Sequence, residues 1–257
     1  MSRGYFAVGR LTALTRRENM DAALAAMLDR IGEKRRERIA QTGTTRTQTS
    51  EGGNGEKLVH ELMSHGIDRR YWNVSLEGIE RDLPDNASIK RNYRYIKQYT
   101  ANLENHIARG EGLILAGKYG TMKTTMAVAV LKHQLLDRHG GGYFVPMATL
   151  IDNLFSMRAR DREEAARYEH RLRTTPLLVI DDLGAENTTQ DFILAKTDSI
   201  ITERYNRLLP TIITTNYSAA DLQDTYGGRI IDRIKSTCYY LEFRGDSERR
   251  ALKLDTI

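Results

Sequence analysis

The chain has 257 residues, of which 40% are hydrophobic and 28% are charged, and this composition is typical of a globular protein in water. Its apolar runs are all shorter than the roughly 20 residues that a membrane-spanning helix needs, and its first residues lack the sustained apolar stretch of a signal peptide. The single cysteine, Cys238, excludes an internal disulfide, and no Cys/His cluster suggests zinc. We therefore expect a cytoplasmic protein that does not enter a membrane.

The positive charge is concentrated at the N-terminus. The formal charge is +5, and residues 1–50 account for it with ten Lys and Arg against five Asp and Glu, while the remaining residues hold equal numbers of both signs. Such a basic segment could meet nucleic acid or an acidic partner surface. A solvated helix face is the alternative.

An N-terminal arm, residues 1–40, is expected to be separate from the rest. It contains one amphipathic helix, whose apolar residues recur every three or four positions: Met20, Ala23, Leu24, Met27, Leu28 and Ile31. One such helix cannot bury its apolar stripe alone, so it needs the core of its own domain or a partner helix. A polar, Thr- and Gly-rich stretch follows, and we interpret residues 41–57 as a flexible linker.

From residue 58 onward, helical and strand patterns alternate. Apolar runs predict five strands, at 112–117, 142–147, 176–182, 210–216 and 238–243. Helical patterns are predicted at 56–66, 86–110, 124–142, 148–173 (with a possible break), 191–209 and 219–236 (around a Gly-Gly pair). Near-continuous apolar strands that alternate with helices indicate an α/β fold with a parallel sheet covered by helices on both faces.

The stretch "GKYGTMKTT", residues 117–125, nearly matches the phosphate-binding loop G-x-x-x-x-G-K-[ST]. Gly117, Lys123 and Thr124 are at the right positions, but Met122 replaces the second glycine. The loop follows a predicted strand and precedes a predicted helix, where backbone N–H groups can surround phosphates. We expect nucleotide contacts from the whole loop: Gly117, Lys118, Tyr119, Gly120, Thr121, Met122, Lys123, Thr124 and Thr125.

A second polar cluster follows the strand "LLVIDD", which ends in Asp181 and Asp182. In P-loop enzymes the first acid of such a pair, with the loop hydroxyl of Thr124, holds Mg²⁺, and the second orients or deprotonates the attacking water. Asn216, after the strand "PTIITTN", can offer its amide to the γ-phosphate or to that water. The same three residues could also be ordinary strand-end and turn residues.

Arginines after these strands could stabilise charge on the phosphate that is transferred, from the same chain or from a neighbouring copy. Arg229 and Arg233 are four positions apart on one predicted helix face, and Arg249 follows the last strand. This grouping is typical of ATPases that assemble into rings or filaments.

The loop, "LLVIDDLGAE", "ERYNRLLPTIITTNYS", "GGRIIDRI" and "FRGDSERR", in this order, resemble the AAA+ replicative helicase loaders of the DnaC/DnaI type. The related transposition helper ATPase IstB is similar as well. The resemblance covers residues 58–257 and implies a P-loop ATPase domain without a helical lid. It implies ATP and Mg²⁺ as cofactors, Lys123 and Thr124 as the Walker A pair, and Asp181 and Asp182 as Walker B. It further implies Asn216 as sensor 1, Arg233 (or alternatively Arg229) as the arginine finger, and Arg249 as sensor 2.

The resemblance implies an ATP-hydrolysing protein that loads a replicative, DnaB-type helicase onto single-stranded DNA in replication, with the N-terminal arm on the helicase and self-assembly into a ring or filament. The arm lacks the zinc-binding cysteines of some DnaI-type loaders, so it is more similar to DnaC. Two alternatives stay open. One is an IstB-like transposition helper on duplex DNA. The other is a nucleotide-binding adaptor with little turnover, which is suggested by Met122 at the second glycine position of the loop.

Overall fold

The structure is a computed structural model and describes residues 51–184 and 191–249. The predicted basic arm, residues 1–40, lies outside these residues, as does the predicted linker up to residue 50. The chain divides into two units between Leu62 and Met63, and the fold described below is that of the second unit. No helix within the described ranges is long and apolar enough to cross a membrane.

The described residues contain one five-stranded parallel sheet. Its strands are β1 (Gly112–Gly117), β2 (Gly142–Pro146), β3 (Leu177–Leu183), β4 (Thr211–Thr215) and β5 (Cys238–Phe243). Their order across the sheet is β2-β3-β4-β1-β5, and every neighbouring pair is parallel. All five strands predicted from the apolar runs are therefore present, and the carboxyl ends of β3, β4 and β1 meet at one edge, where ligands bind in open parallel sheets.

The described helices are α1 (Glu51–Ser64), α2 (Leu76–Arg81), α3 (Ala87–Ala101), α4 (Leu103–Arg109), α5 (Lys123–Lys132), α6 (Met147–Arg160), α7 (Arg162–Thr174), α8 (Asp191–Asn206), α9 (Ala219–Tyr226) and α10 (Gly228–Thr237), with a 3-10 helix at Arg69–Tyr71. All but α1, most of which belongs to the first unit, are part of the fold around the sheet. The break expected inside 148–173 is at Asp161, whose carboxylate accepts hydrogen bonds from the N–H groups of Glu163 and Glu164 and so caps α7.

Two layers of helices pack on the sheet. On one face, side chains that alternate along the strands, such as Ile114, Ile180 and Ile213, form a buried cluster with residues of α6 to α10. The alternate strand residues, such as Leu115 and Val179, are also fully buried, and α5 packs across all four of the strands β1 to β4. Burial on both faces explains why the strands are apolar throughout.

Three helix boundaries differ from the sequence prediction. The helix predicted at 86–110 is interrupted at Asn102, whose side chain donates to the carbonyl of Gln98 (3.1 Å); such local bonds compete with the helix. The helix predicted at 56–66 begins already at Glu51. The helix predicted at 124–142 ends as an α-helix at Lys132 and continues as a π-helical turn at His133–Asp137.

Candidate nucleotide-binding site

The glycine loop between β1 and α5 depends on close backbone approach. Gly117 has φ 144°, and a Cβ there would lie 2.1 Å from the carbonyl oxygen of Phe243. Gly120 has φ 75°, and a Cβ there would lie 2.0 Å from the Ser247 hydroxyl. Both positions therefore need glycine for space as well as for conformation.

Met122 occupies the position where the loop motif has its second glycine. It adopts a left-handed conformation, with φ 68° and ψ 11°, immediately before α5. For an L-residue this conformation costs roughly 1–2 kcal/mol. The backbone thus has the geometry that glycine normally supplies, and methionine adopts it at a cost in stability.

Lys123 is the first residue of α5, and only 5% of it is exposed. Its ammonium donates to the carbonyl oxygens of Gly117 and Lys118 (both 2.7 Å) and to Oδ1 of Asn216 (3.0 Å). Burial lowers the pKa of Lys123, while the nearby carboxylates of Asp182 and Asp181 oppose that shift. The lysine is thus a buried cation held at the centre of the loop.

Asp181 is buried at the end of β3. Its carboxylate accepts a hydrogen bond from the hydroxyl of Thr214 (2.6 Å). Burial raises the pKa of Asp181, and the hydroxyls of Thr214 and Thr124 oppose this effect. Asp181 at the end of β3 thus interacts electrostatically with Thr124 at the start of α5.

Asp182 and Asn216 lie between Asp181 and the loop lysine. Asp182 has φ 54°, a conformation that aspartate tolerates better than most residues, and its N–H donates to the Thr214 hydroxyl (2.9 Å). The Asn216 amide nitrogen donates to Oδ1 of Asp182 (3.3 Å), while its oxygen accepts from Lys123. Asn216 thus joins the two halves of the predicted site.

An open cleft of about 730 Å³ lies in front of these groups. The loop from Tyr119 to Thr125 lines it, together with Asp182 and Asn216. Arg70, Tyr71 and residues 81–85 line the same cleft. The sequence pattern gives this second group no role, because neither periodicity nor a motif marks it; the polar and aromatic run "RRYW" is its only signal.

The predicted arginines lie in two places. Arg249 lines the cleft, because the segment after β5 returns to the loop and the N–H of Glu248 donates to the Gly120 carbonyl (3.0 Å). Arg233 lies away from the cleft and donates to Asp198 (3.2 Å) and Thr202 (2.8 Å). Arg229 pairs with the same aspartate. Within one chain the structure does not bring Arg229 or Arg233 to the loop.

The remaining loop residues differ in exposure. Tyr119 is 66% exposed at the cleft mouth, and Lys118 is also exposed, 4.0 Å from Asp246. Thr121 is buried, and its hydroxyl donates to the Lys118 carbonyl (2.8 Å). Thr121 therefore stabilises the loop itself.

The strand–loop–helix unit, with paired acids at the end of β3 and a polar residue at the end of β4, defines a P-loop NTPase domain of the AAA+ type. The family model described as "IstB-like ATP binding protein" matches residues 88–256. The chain belongs to this family of ATP-binding proteins. The resemblance stated from the sequence motifs is thereby confirmed.

Among curated proteins, the chain is 27% identical to the replicative helicase loader DnaC of Escherichia coli (strain K12) over 199 residues, which are 75% of this chain and 76% of DnaC. It is 29% identical to the replicative helicase loader DnaI of Bacillus subtilis (strain 168) over 138 residues, which are 52% of this chain and only 42% of DnaI. The chain thus spans less than half of DnaI in that match.

Solved structures confirm the fold. A crystal structure of the DnaC helicase loader superposes with a TM-score of 0.62 at 32% identity, covering 69% of this chain and 100% of that chain. A crystal structure of DnaI gives a TM-score of 0.54 at 26% identity, covering 71% of this chain and 94% of that chain. DnaA of Aquifex aeolicus, at 15% identity and a TM-score of 0.55 over 70% of this chain and 51% of that chain, shares the fold.

Proposed function

We propose that this protein binds and hydrolyses ATP and uses that cycle to load a replicative helicase onto single-stranded DNA. The observation that carries the ATPase part is the continuous contact from Lys123 through Asn216 to Asp182. It joins the cation of the loop to the acid of β3 at the base of a cleft large enough for a nucleotide.

The loop and Lys123 bind the phosphates in this proposal. The first residues of α5 line the cleft, and the N–H groups and dipole of a helix N-terminus favour negative charge. Lys123 exchanges its loop carbonyl partners for β- and γ-phosphate oxygens, because a charge-assisted bond is stronger than a bond to a neutral carbonyl. Asp182 orients the attacking water and accepts its proton, and Asn216 holds Asp182 in place.

The Thr124 hydroxyl and the Asp181 carboxylate are suitable for Mg²⁺, because they are oxygen ligands and Thr124 is near enough to affect the pKa of Asp181. Within the described ranges no group of three or more His, Cys, Asp or Glu residues could hold a metal by itself. A Mg²⁺ bound at Thr124 and Asp181 would take its other ligands from phosphates and water. Bound there, Mg²⁺ would neutralise charge on the phosphates.

A second copy of the chain completes the site. Arg249 lies in the cleft of its own chain, whereas Arg229 and Arg233 lie outside it on α10. We assign the finger role to Arg233, with Arg229 as the alternative, since an arginine far from its own nucleotide can serve the nucleotide of a neighbour. This assignment requires assembly into a ring or filament.

The helicase partner is proposed from the relatives. DnaC and DnaI are both replicative helicase loaders, and the similarity to DnaC extends over three quarters of both chains. The N-terminal arm, residues 1–40, is proposed to bind a DnaB-type helicase, and the charge excess of residues 1–50 fits an acidic partner surface. Single-stranded DNA would be bound by the ATPase domain.

An IstB-like role as a transposition helper is the second candidate, and the family model favours it, since that model is described as IstB-like. A nucleotide-binding adaptor with little turnover is the third. Two features motivate the adaptor proposal. Met122 is in the left-handed conformation, and Asp182 stands where the longer glutamate is commoner.

ATP hydrolysis by the purified full chain, with and without single-stranded DNA, tests the enzymatic part. The matched pair is wild type and Lys123→Ala, with an exposed lysine variant, Lys57→Ala, as the control. We expect turnover in wild type and in the control, and loss of turnover in Lys123→Ala. Equal rates in wild type and Lys123→Ala would refute the enzymatic function and favour the adaptor.

A capture experiment separates the two DNA roles. The full chain and a chain lacking residues 1–40 are each mixed with a purified DnaB-type helicase or with an IstA-type transposase. The loader proposal expects capture of the helicase by the full chain and no capture by the shortened one. Capture of the transposase instead would support the IstB-like role.

A further inference from the structure

Tyr71 lines the same cleft as the glycine loop. It is the last residue of the 3-10 helix Arg69–Tyr71, and its ring packs on the ring of Phe144 in β2, with centroids 5.9 Å apart. The ring is therefore supported by a strand of the sheet.

The backbone that carries Tyr71 is tied to α5 by a buried lysine. Lys132, only 9% exposed, donates from its ammonium to the carbonyl oxygens of Trp72 (2.5 Å), Val74 (2.7 Å) and Tyr71 (3.5 Å). These three carbonyls follow one another closely in the segment, so one cation fixes the whole turn. The opposite end of the same helix carries Lys123 and Thr124, and α5 thus holds residues of both groups that line the cleft.

The Tyr71 side chain is partly buried and lines the cleft. Among the residues that the structure describes, it has no hydrogen-bond partner. Burial raises the pKa of Tyr71, and the carboxylates of Asp181 and Asp182 raise it further, while Arg70 and Arg249 act in the opposite direction. The hydroxyl is therefore a neutral donor at physiological pH, close enough to the two acids of β3 to feel their charge.

We infer that Tyr71 is a further nucleotide-binding residue, whose hydroxyl donates a hydrogen bond to the terminal phosphate of ATP, and that Lys132 is the positioning residue that holds it there. This inference rests on the proposed ATP-binding function. In that function the terminal phosphate lies between Lys123 and Asp182. Tyr71 lines the same cleft as Lys123 and Asp182, so its hydroxyl is placed to reach that phosphate, whereas the two inner phosphates lie against the loop backbone.

The consequence is selectivity for the triphosphate. ADP lacks the group that Tyr71 contacts, so the hydroxyl improves the affinity for ATP and leaves that for ADP unchanged. A hydrogen bond to a charged group, when it is lost, changes affinity by roughly 10- to 150-fold. Tyr71 would thereby report through its backbone, which is held by Lys132, whether the terminal phosphate is present.

The test compares ATP and ADP binding by calorimetry, with Mg²⁺, in wild type and Tyr71→Phe. The substitution removes only the hydroxyl and keeps the ring that packs on Phe144. We expect the ATP affinity to fall at least ~10-fold and the ADP affinity to stay within about twofold. Tyr95→Phe, at an exposed tyrosine of α3, is the matched control and is expected to leave both affinities unchanged.

Unchanged ATP affinity in Tyr71→Phe overturns the inference, and so does an equal loss for ATP and ADP, because the hydroxyl would then face another part of the nucleotide. If wild type binds neither ATP nor ADP, this outcome refutes the proposed ATP-binding function itself, and with it the inference on Tyr71. Retained ADP binding shows that a variant is folded.

The positioning role of Lys132 is tested with Lys132→Met and with the double variant Tyr71→Phe/Lys132→Met. If Lys132 acts through Tyr71, the single Lys132→Met variant loses ATP affinity relative to ADP, and the double variant loses no more than Tyr71→Phe alone. Losses that simply add would show that Lys132 affects the cleft by another route and would overturn its assignment.

Discussion

Replacing Met122 with glycine should stabilise the protein relative to replacing it with alanine. Both changes remove the methionine side chain, but only glycine removes the cost of the left-handed conformation at φ 68°, which is roughly 1–2 kcal/mol. Glycine also makes the unfolded chain more flexible, and this lowers the gain in folding stability by about 0.4–1 kcal/mol. The expected difference is therefore about 1 kcal/mol in favour of Met122→Gly over Met122→Ala.

Thermal and urea unfolding of both variants measure this difference, which corresponds to ~2–4 °C in Tm for a domain of this size. ATP binding is measured in parallel. If the loop keeps the same backbone with and without nucleotide, the strain affects folding rather than binding, and Met122→Gly binds ATP as tightly as wild type or more tightly. A glycine variant less stable than the alanine variant would show that the left-handed conformation carries no strain here. A marked loss of ATP affinity would show that the methionine side chain is part of the working loop.

Three further predictions concern charged side chains. Arg204 is 1% exposed and donates to Thr211 and to the carbonyls of Leu172, Thr175 and Pro210. Replacing Arg204 with methionine should lower the free energy of unfolding by at least ~3 kcal/mol, because these buried acceptors lose their donor. The exposed Arg207→Met should cost less than ~1 kcal/mol in the same denaturation assay, and similar losses in both would contradict the reasoning. Burial lowers the pKa of Lys132 to about 8, so between pH 8 and 10.5 the unfolded chain holds a proton that the folded protein has released. The free energy of unfolding of wild type minus that of Lys132→Met should therefore be constant below pH 8 and rise by up to ~3 kcal/mol above pH 8. Unfolding measured across this pH range would refute the prediction if that difference fell with rising pH. Asp182→Asn should keep ATP affinity within about threefold and reduce hydrolysis ~100-fold or more, whereas equal loss of binding and hydrolysis would make Asp182 a ligand rather than a base.

The strands and the loop were predictable because their patterns are local. A strand buried on both faces must be apolar throughout, and the spacing of Gly117, Lys123 and Thr124 marks a phosphate-binding loop although Met122 replaces its second glycine. The acids at the end of β3 and Asn216 at the end of β4 were predictable for a related reason: parallel strands bring their carboxyl ends to one edge.

The arginines show which structural features local sequence patterns do not predict. Arg204 is in the stretch "ERYNRLLPTIITTNYS", which carried the family resemblance, but its burial beneath β4 became visible only in the structure. Arg229 and Arg233 were expected to share a helix face, and they do, since both contact Asp198. Which neighbour they would reach depends on an assembly and not on the spacing within one chain. The expectation of a domain without a helical lid concerns the residues after β5, of which 250–257 lie outside the described part of the chain.

The sequence by itself determined the class of protein: a parallel α/β sheet, a glycine loop with Lys123 and Thr124, and the acid pair Asp181 and Asp182. These features follow from residue types at short spacing. Only the tertiary structure decided that Met122 takes the left-handed backbone of a glycine and that Tyr71, whose carbonyl is held by Lys132, lines the same cleft as the loop. The physical reason is that backbone strain and a cleft lined by a distant segment depend on contacts between residues far apart in the chain, which no local pattern records.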